Sequence, residues 1–251
     1  MDYRDENIWL MYGDCLERMK EIPEGSVNLV LTDPPYGTTA CKWDSIIPLD
    51  EMWSRLDGVA KLDGAIVLFS KEPFTSVMVS SNLKNFKQRL IWEKDNHDNP
   101  MQAKNRFLNI TEDISVFYKK LPTYNPQGIK EVNQVTRQGG VGVLSDARSS
   151  RPSSYEQKYT NYPRNILKFA RDRGLHPTQK PVALLEYLIK TYTNEGDTVL
   201  DFTAGSMSTA VACINTNRKC IMIEKDEHYY NVGKDRVMKA LQDKECILEG
   251  Q

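Results

Sequence analysis

Histidine and cysteine are scarce in this 251-residue chain, and the few present are spaced for neither a zinc site nor a disulfide framework. The five cysteines (Cys15, Cys41, Cys213, Cys220 and Cys246) form no CxxC pair and have no histidine cluster beside them. No metal is therefore expected, and the pattern fits a reducing cytoplasm. No apolar stretch approaches the ~20 residues of a membrane-spanning helix. The chain starts Met-Asp-Tyr-Arg-Asp-Glu, charged where a signal peptide is apolar. A cytoplasmic protein without membrane association is the expectation. Charge of one sign is also missing: 33 Lys and Arg stand against 34 Asp and Glu, so bulk charge names no partner. There is no internal repeat, no Gly-x-Gly-x-x-Gly and no P-loop lysine, which disfavours dinucleotide and triphosphate ligands.

What the chain does have is alternation. Apolar runs at Ile8–Tyr12, Val27–Thr32, Thr198–Asp201 and 220–223 each end in a short polar or acidic loop, with further strands expected at 65–69 and 90–92. Helical patterns fall at 16–22, 49–62, 74–83 and 182–192, from Gly205 to about residue 216, and along the C-terminal segment. Strand and helix in alternation predict an α/β fold with a doubly wound, Rossmann-like sheet. From about Pro122 to Arg173 the periodicity fades, and Gly139 to Gly142 reads as a loop. The expected organisation is one catalytic domain, residues 1–121 and 174–251, carrying an insertion at 122–173.

Asp33-Pro34-Pro35-Tyr36 closes a buried strand, the place where open α/β sheets bind ligands. An aromatic amine is a poor nucleophile because its lone pair is delocalised into the ring. Two acceptors aimed at its N–H groups would pull the nitrogen toward tetrahedral geometry and stabilise the positive charge that develops on alkylation. Asp33 supplies a carboxylate and Pro34 a backbone carbonyl, while the prolines Pro34 and Pro35 stiffen the loop and remove competing donors. Tyr36 offers a flat face for an extruded base. As plain structure the same residues would make an Asp-Pro-Pro turn with Tyr36 as filler.

Asp201, Thr203, Gly205 and Ser206 follow the next strand, with Glu224 some twenty residues on. This is the strand, glycine loop and helix of a mononucleotide site, with an acid for a ribose diol. Asp201 would suit the α-amino group of a sulfonium cofactor. Read structurally, Gly205 would serve a close helix–strand contact and Glu224 would be a solvated strand end. Gly13-Asp14-Cys15 puts another carboxylate at a strand tip, able to accept from an adenine amine or simply to cap the following helix. His176-Pro177-Thr178-Gln179-Lys180-Pro181 precedes a helix, with Pro181 expected at its first position. Thr178 and Lys180 could hold a carboxylate there, whereas a lone histidine is more often structural.

These motifs in this order resemble the β group of DNA amino-methyltransferases, the N6-adenine and N4-cytosine enzymes, in the small form common in phages and prophages. The matching stretches are Gly13 to Glu17, Thr32 to Gly37, His176 to Pro181 and Asp201 to Glu224, and the order is circularly permuted. The resemblance implies S-adenosylmethionine as cofactor and DNA, through a flipped base, as partner; a homodimer is left open. It further implies that Asp33, Pro34, Pro35 and Tyr36 hold the base. Asp201, Thr203, Gly205 and Ser206 would contact the methionine part of the cofactor, Glu224 its ribose, and Asp14 and Cys15 its adenine. His176, Thr178 and Lys180 would lie beside the methionine end. Adenine is preferred because N4-cytosine members more often carry serine at the head of the tetrapeptide. The alternatives are an N4-cytosine enzyme, a glutamine methyltransferase, or an inactive DNA-binding relative.

The chain departs from the family pattern twice. Met207 stands where a second loop glycine is expected, which predicts crowding of the cofactor or a φ forced into a costly region, and Thr111-Glu112-Asp113 stands where His-Glu is common. The segment from Lys104 to Arg173 interleaves Arg106, Lys119, Lys120, Lys130, Arg137, Arg148, Arg151, Lys158, Arg164, Lys168 and Arg171 with five tyrosines: Tyr118, Tyr124, Tyr155, Tyr159 and Tyr162. Cations beside aromatic faces suit phosphate contact and base stacking, so this stretch is the expected target-recognition segment.

Overall fold

The apolar runs become strands of one nine-stranded sheet in the computed structural model, which describes residues 2–37, 45–98, 100–137, 154–172 and 179–249. The chain first supplies β1 (Tyr3–Arg4), β2 (Ile8–Tyr12), the short helix α1 (Cys15–Arg18), β3 (Val27–Thr32), α2 (Leu49–Val59) and β4 (Ala60–Ser70). Next come α3 (Phe74–Ser81), β5 (Phe86–Glu93) and β6 (Thr111–Phe117). After β7 (Lys130–Arg137) and β8 (Ser154–Thr160), which form a separate two-stranded sheet, the chain continues with β9 (Ile166–Lys168) and α4 (Val182–Tyr192). It ends in β10 (Thr198–Asp201), α5 (Ser208–Asn215), β11 (Lys219–Glu224) and α6 (Glu227–Glu249).

The main sheet runs β1-β2-β11-β10-β3-β4-β6-β5-β9. Strands β2, β11, β10, β3 and β4 are mutually parallel, while β6 is antiparallel to both β4 and β5. From β3 the chain steps to β4 on one side, whereas β10 is followed by β11 on the other. The β3–β10 boundary is the switch point, where the carboxyl ends of two strands open a crevice. Because β10 and β11 slot between β2 and β3, motifs from the two ends of the chain meet there.

Alternating side chains cover both faces. Leu29, Leu31, Val67 and Phe69 pack with Leu188 of α4, Ala210 of α5 and Val237 of α6. Val30, Ile66, Leu68 and Leu200 pack with Met52 and Leu56 of α2 and with Phe74 and Met78 of α3. Strands buried on both faces read as continuous apolar runs, which is why four of them are legible in the sequence. The doubly wound α/β architecture is the one the alternation predicts.

The differences are local. Strand β6 gives no apolar signal at its start because it begins Thr-Glu-Asp, with Glu112 buried. Helix α2 ends at Val59, where Ala60 already pairs with Val27 of β3. The first helix is one turn long and tightens into a 3-10 turn over Met19–Glu21. Pro181 sits at the N-cap of α4 with ψ of 131°, one place before the helical position the sequence suggests.

The chain divides into two units, residues 1–125 with 165–251, and residues 126–164. In the smaller unit β7 pairs antiparallel with β8, from Lys130 opposite Thr160 to Arg137 opposite Ser154. The Asn161 side-chain amide donates to the Gly128 carbonyl at 2.7 Å. The Gly139–Gly142 loop, Arg148 and Arg151 lie outside the described residues. Among the described residues no helix is long and apolar enough to cross a membrane.

Candidate active site

A cavity of about 680 Å³ opens at the switch point, within the usual range for a small-molecule site. Asp33, Pro34, Pro35 and Tyr36 line it from the end of β3, and Asp201, Thr203, Gly205 and Ser206 from the end of β10. Asp14 and Cys15 reach it after β2, Glu224 closes β11, and Lys180 comes from the segment before α4. His176 and Thr178 lie outside the described residues.

The β10 side is a set of carboxylates with part of their acceptor capacity spent. Buried Asp201 accepts from the Thr32 hydroxyl at 2.6 Å, the Thr209 hydroxyl at 2.6 Å and the Thr203 N–H at 3.2 Å. A carboxylate offers about four acceptor sites, so one remains for a ligand donor. Burial pushes the Asp201 carboxyl up to about 6, against the pull of those three hydrogen bonds. A carboxyl raised on folding binds a proton more readily in the folded chain. Its contribution to stability therefore falls as pH rises from its ordinary value near 4 through about 6. We expect the stability of Asp201→Asn relative to the unsubstituted, cofactor-free protein to be about 2–3 kcal/mol more favourable at pH 8 than at pH 4. Thermal melts of both proteins at the two pH values check this; an equal gap at both would contradict it.

Glu224 accepts the Gly205 N–H at 2.7 Å and the Asp226 N–H at 2.8 Å, and burial raises its carboxyl. Half its acceptor capacity is left, enough for a ribose diol. Gly205 has φ of +51°, and a Cβ there would meet nothing within 4 Å. Glycine is needed for the backbone turn, not for close packing, and the space beside it is open. Asp14 caps α1 through one oxygen, which accepts the Leu16 N–H at 2.9 Å, leaving its other oxygen. Burial raises the Cys15 thiol to about 12, so it remains protonated.

Met207 does not crowd the cavity. Its side chain is fully buried, is not among the lining residues, and lies against Gly233 of α6. A Cβ on Gly233 would come within 2.6 Å of Met207 Cγ, so a helix-interior glycine makes room for the methionine. What remains is backbone cost, since Met207 holds φ of +58°, roughly 1–2 kcal/mol for an L-residue. Arg236 braces the same loop, donating to the Ser206 carbonyl at 3.2 Å and the Ser208 hydroxyl at 2.8 Å. No motif announces Arg236.

The β3 side is a buried chain of alternating charges. The Lys180 ammonium bonds the Asp33 carboxylate and lies 2.7 Å from Glu112. Lys94 pairs with the other Glu112 oxygen at 3.0 Å and with Asp98 at 3.3 Å. The Tyr36 hydroxyl donates to Asp33 and reaches Glu112 at 3.4 Å, and its ring lies 5.5 Å from that of Phe74. Burial raises the Asp33 carboxyl, with Lys180 opposing and Glu112 reinforcing. Burial works on Glu112 too, but Lys180 and Lys94 together hold it below the usual carboxylate range. Burial and the two carboxylates keep Tyr36 protonated as a donor. Asp33 and Glu112 outweigh burial at Lys180 and keep it charged. Thr203 joins the two sides, its hydroxyl donating to the Asp33 carbonyl at 3.0 Å.

Lys94 is a site residue the sequence does not single out, and Glu112 stands out there only as part of a departure from the family pattern, with no role attached. The available signal was an acid heading an otherwise apolar run, Ile114 to Phe117. The basic stretch also resolves: Lys119 pairs with Asp57 at 2.9 Å, Lys168 with Glu93 at 3.0 Å and Arg171 with Asp95 at 3.2 Å. Tyr118 packs on the core and Tyr124 against Tyr192. Exposed Tyr159 and Tyr162 belong to the 126–164 unit, with Lys130, Lys158 and Arg164.

A family model for DNA methylases of the N6/N4 type matches residues 27–235. The DNA adenine methyltransferase YhdJ of Escherichia coli (strain K12) is 32% identical over an alignment covering 94% of this chain and 84% of that protein. The type II methyltransferase M.HinfI of Haemophilus influenzae is 25% identical, covering 91% and 67%. Among solved structures, the M1.HpyAVI complex with SAM matches with a TM-score of 0.62 at 26% identity, covering 91% and 99%. The cytosine-N4-specific PvuII DNA methyltransferase gives 0.69 at 18% identity, covering 99% and 95%, a likeness of fold alone.

Proposed function

Because this chain belongs to the N6/N4 family of DNA methylases, we propose that its target is the N6 amino group of adenine, held by Asp33, the Pro34 carbonyl and Tyr36. The protein is a DNA methyltransferase that uses S-adenosylmethionine. That cofactor supplies, when bound, a methyl group on a positively charged sulfur. The residues of the β10 side fit it: spare acceptors on Asp201, Glu224 and Asp14 match an amino group, a ribose diol and an adenine amine, around open space at Gly205. We assign Asp201, Gly205 and Ser206 to the methionine part, Glu224 to the ribose, and Asp14 with Cys15 to the adenine.

The observation that carries the target reading is the placement of Asp33. Its carboxylate is held by Lys180 and Tyr36 at the mouth of β3, and its carbonyl is tied by Thr203 to the loop after β10. A target amine brought there meets a fixed acceptor, and hydrogen bonds to Asp33 and the Pro34 carbonyl hold its lone pair available and stabilise the charge that develops. Phe74 backs the Tyr36 ring against which the base would stack. Aspartate at the head of the tetrapeptide and the relationship to an adenine methyltransferase favour adenine over cytosine. The 126–164 unit is proposed as the part that reads DNA. A cytoplasmic location belongs to the same reading, since that is where DNA lies in the bacteria of the relatives; it assigns no surface to a homodimer.

The test is direct. Wild-type protein, unmethylated plasmid DNA and methyl-tritiated cofactor are expected to give label in N6-methyldeoxyadenosine after digestion to nucleosides. Label in deoxycytidine alone overturns the choice of base.

A further inference from the structure

The loop between β5 and β6 extends the wall of the cavity outward. Strand β5 leaves the carboxyl edge of the sheet at Glu93, and the hairpin continues past it. The Lys94 N–H donates to the Ile110 carbonyl at 2.8 Å and the Asp98 N–H to the Asn109 carbonyl at 2.9 Å. Lys94, His97, Asp98 and Glu112 on this hairpin all line the cavity, and the tip is the stretch of chain between them. The tip is a set of hydrogen-bonded turns: Ala103 N–H to the Pro100 carbonyl at 3.1 Å, and Asn105 and Arg106 N–H to the Gln102 carbonyl at 2.9 and 3.0 Å.

What this tip presents is unusual for a surface turn. Phe107 is 101% exposed and Met101 is 91% exposed. Lys104 and Arg106 are exposed beside them, and no acid occurs from residue 100 to residue 110. Scattered single apolar side chains need no explanation. Two of them on one hydrogen-bonded turn, flanked by cations and joined at both ends to residues that line the cavity, have a specific chemistry. An apolar wedge suits an unstacked base step, and cations suit the phosphates on either side of it.

We propose that the 100–110 turn is a duplex wedge: Phe107 enters the DNA stack beside the target nucleotide while Lys104 and Arg106 hold the flanking phosphates. This rests on the reading that the target base leaves the duplex to reach Asp33. Extruding a base leaves a gap whose neighbours have lost stacking partners. The ring of Phe107 fills that gap, and the wedge shares the hairpin that carries Lys94 and Glu112.

Phe107 is fully exposed, so its replacement leaves folding intact, as a melting curve will confirm. Phe107→Ala is expected to lower kcat/KM for duplex plasmid DNA by about tenfold or more, with cofactor affinity unchanged; Phe107→Trp, which keeps an aromatic ring, is expected to stay close to wild type. The comparison is made on whichever base the wild type labels, so a cytosine result would overturn the adenine assignment and leave the wedge standing. Independently of turnover, the added tryptophan fluorescence of Phe107→Trp, relative to wild type, is expected to be quenched by the same duplex through stacking. Phe107→Ala within about twofold of wild type, Phe107→Trp as impaired as the alanine variant, or the absence of quenching would each overturn the proposal.

Discussion

Asp33→Asn is expected to cut single-turnover methyl transfer by at least about a hundredfold, the loss of a few kcal/mol of transition-state stabilisation. The amide keeps the shape but gives up one acceptor oxygen, and it can turn an N–H toward the amine. Asp33→Ala should be at least as slow. The sequence suggests that such changes leave folding untouched, because a strand-tip carboxylate contributes little to packing. The pairing with Lys180 modifies that expectation. Removing one partner of a buried ion pair is destabilising, but Lys180 keeps Glu112 at 2.7 Å, so the charge is not stranded. We expect a folded variant with a modestly lowered melting temperature, slow because of its chemistry. Transfer within about threefold of wild type would remove Asp33 from the chemical step.

The second large effect is expected at Glu112, which the structure assigns to positioning. Its carboxylate holds Lys180 and Lys94, and it is 6% exposed. Glu112→Gln takes one of two carboxylate partners from each of two buried ammonium groups, Lys180 keeping Asp33 and Lys94 keeping Asp98, a loss on the order of 2 kcal/mol and so roughly 6 °C in melting temperature. Lys180 then turns wholly to Asp33 and competes with the target amine for its oxygens, and the rate should fall about a hundredfold. A merely structural residue could also slow the enzyme by loosening it, so the pH profile decides. Glu112 is one of the groups that raise the Asp33 carboxyl. Without it Asp33 ionises at lower pH, and the acid limb of the rate profile should move to lower pH. An acid limb that stays in place would show that Glu112 acts through stability alone.

Much of this site is legible in the sequence because it sits where strands end. The four strands that carry Asp14, Asp33, Asp201 and Glu224 are apolar enough to be read directly, and each acid marks the point where a strand meets the cavity. Sequence order hides nothing here, since β10 and β11 return between β2 and β3. Charges that fold inward are what the sequence conceals. Glu112 and Lys94 look like surface residues until their mutual neutralisation is seen, and burial of a charge depends on partners about 20 to 150 residues away. Met207 carries the opposite lesson. Its misfit with the loop is real in the backbone, yet the side chain is accommodated by Gly233, a packing partner that no local pattern reveals. The stretch of cations and tyrosines divides in the same way, with Lys119, Lys168 and Arg171 each bound to an acid in the larger unit.

The central claim is a division of labour inside one cavity, with the β10 side holding the cofactor and the β3 side holding the target amine. Calorimetric titration of S-adenosylmethionine into Asp33→Asn tests it most directly. The account predicts a dissociation constant within about threefold of wild type, in a protein whose transfer rate has collapsed. Loss of cofactor binding in step with the rate would contradict it.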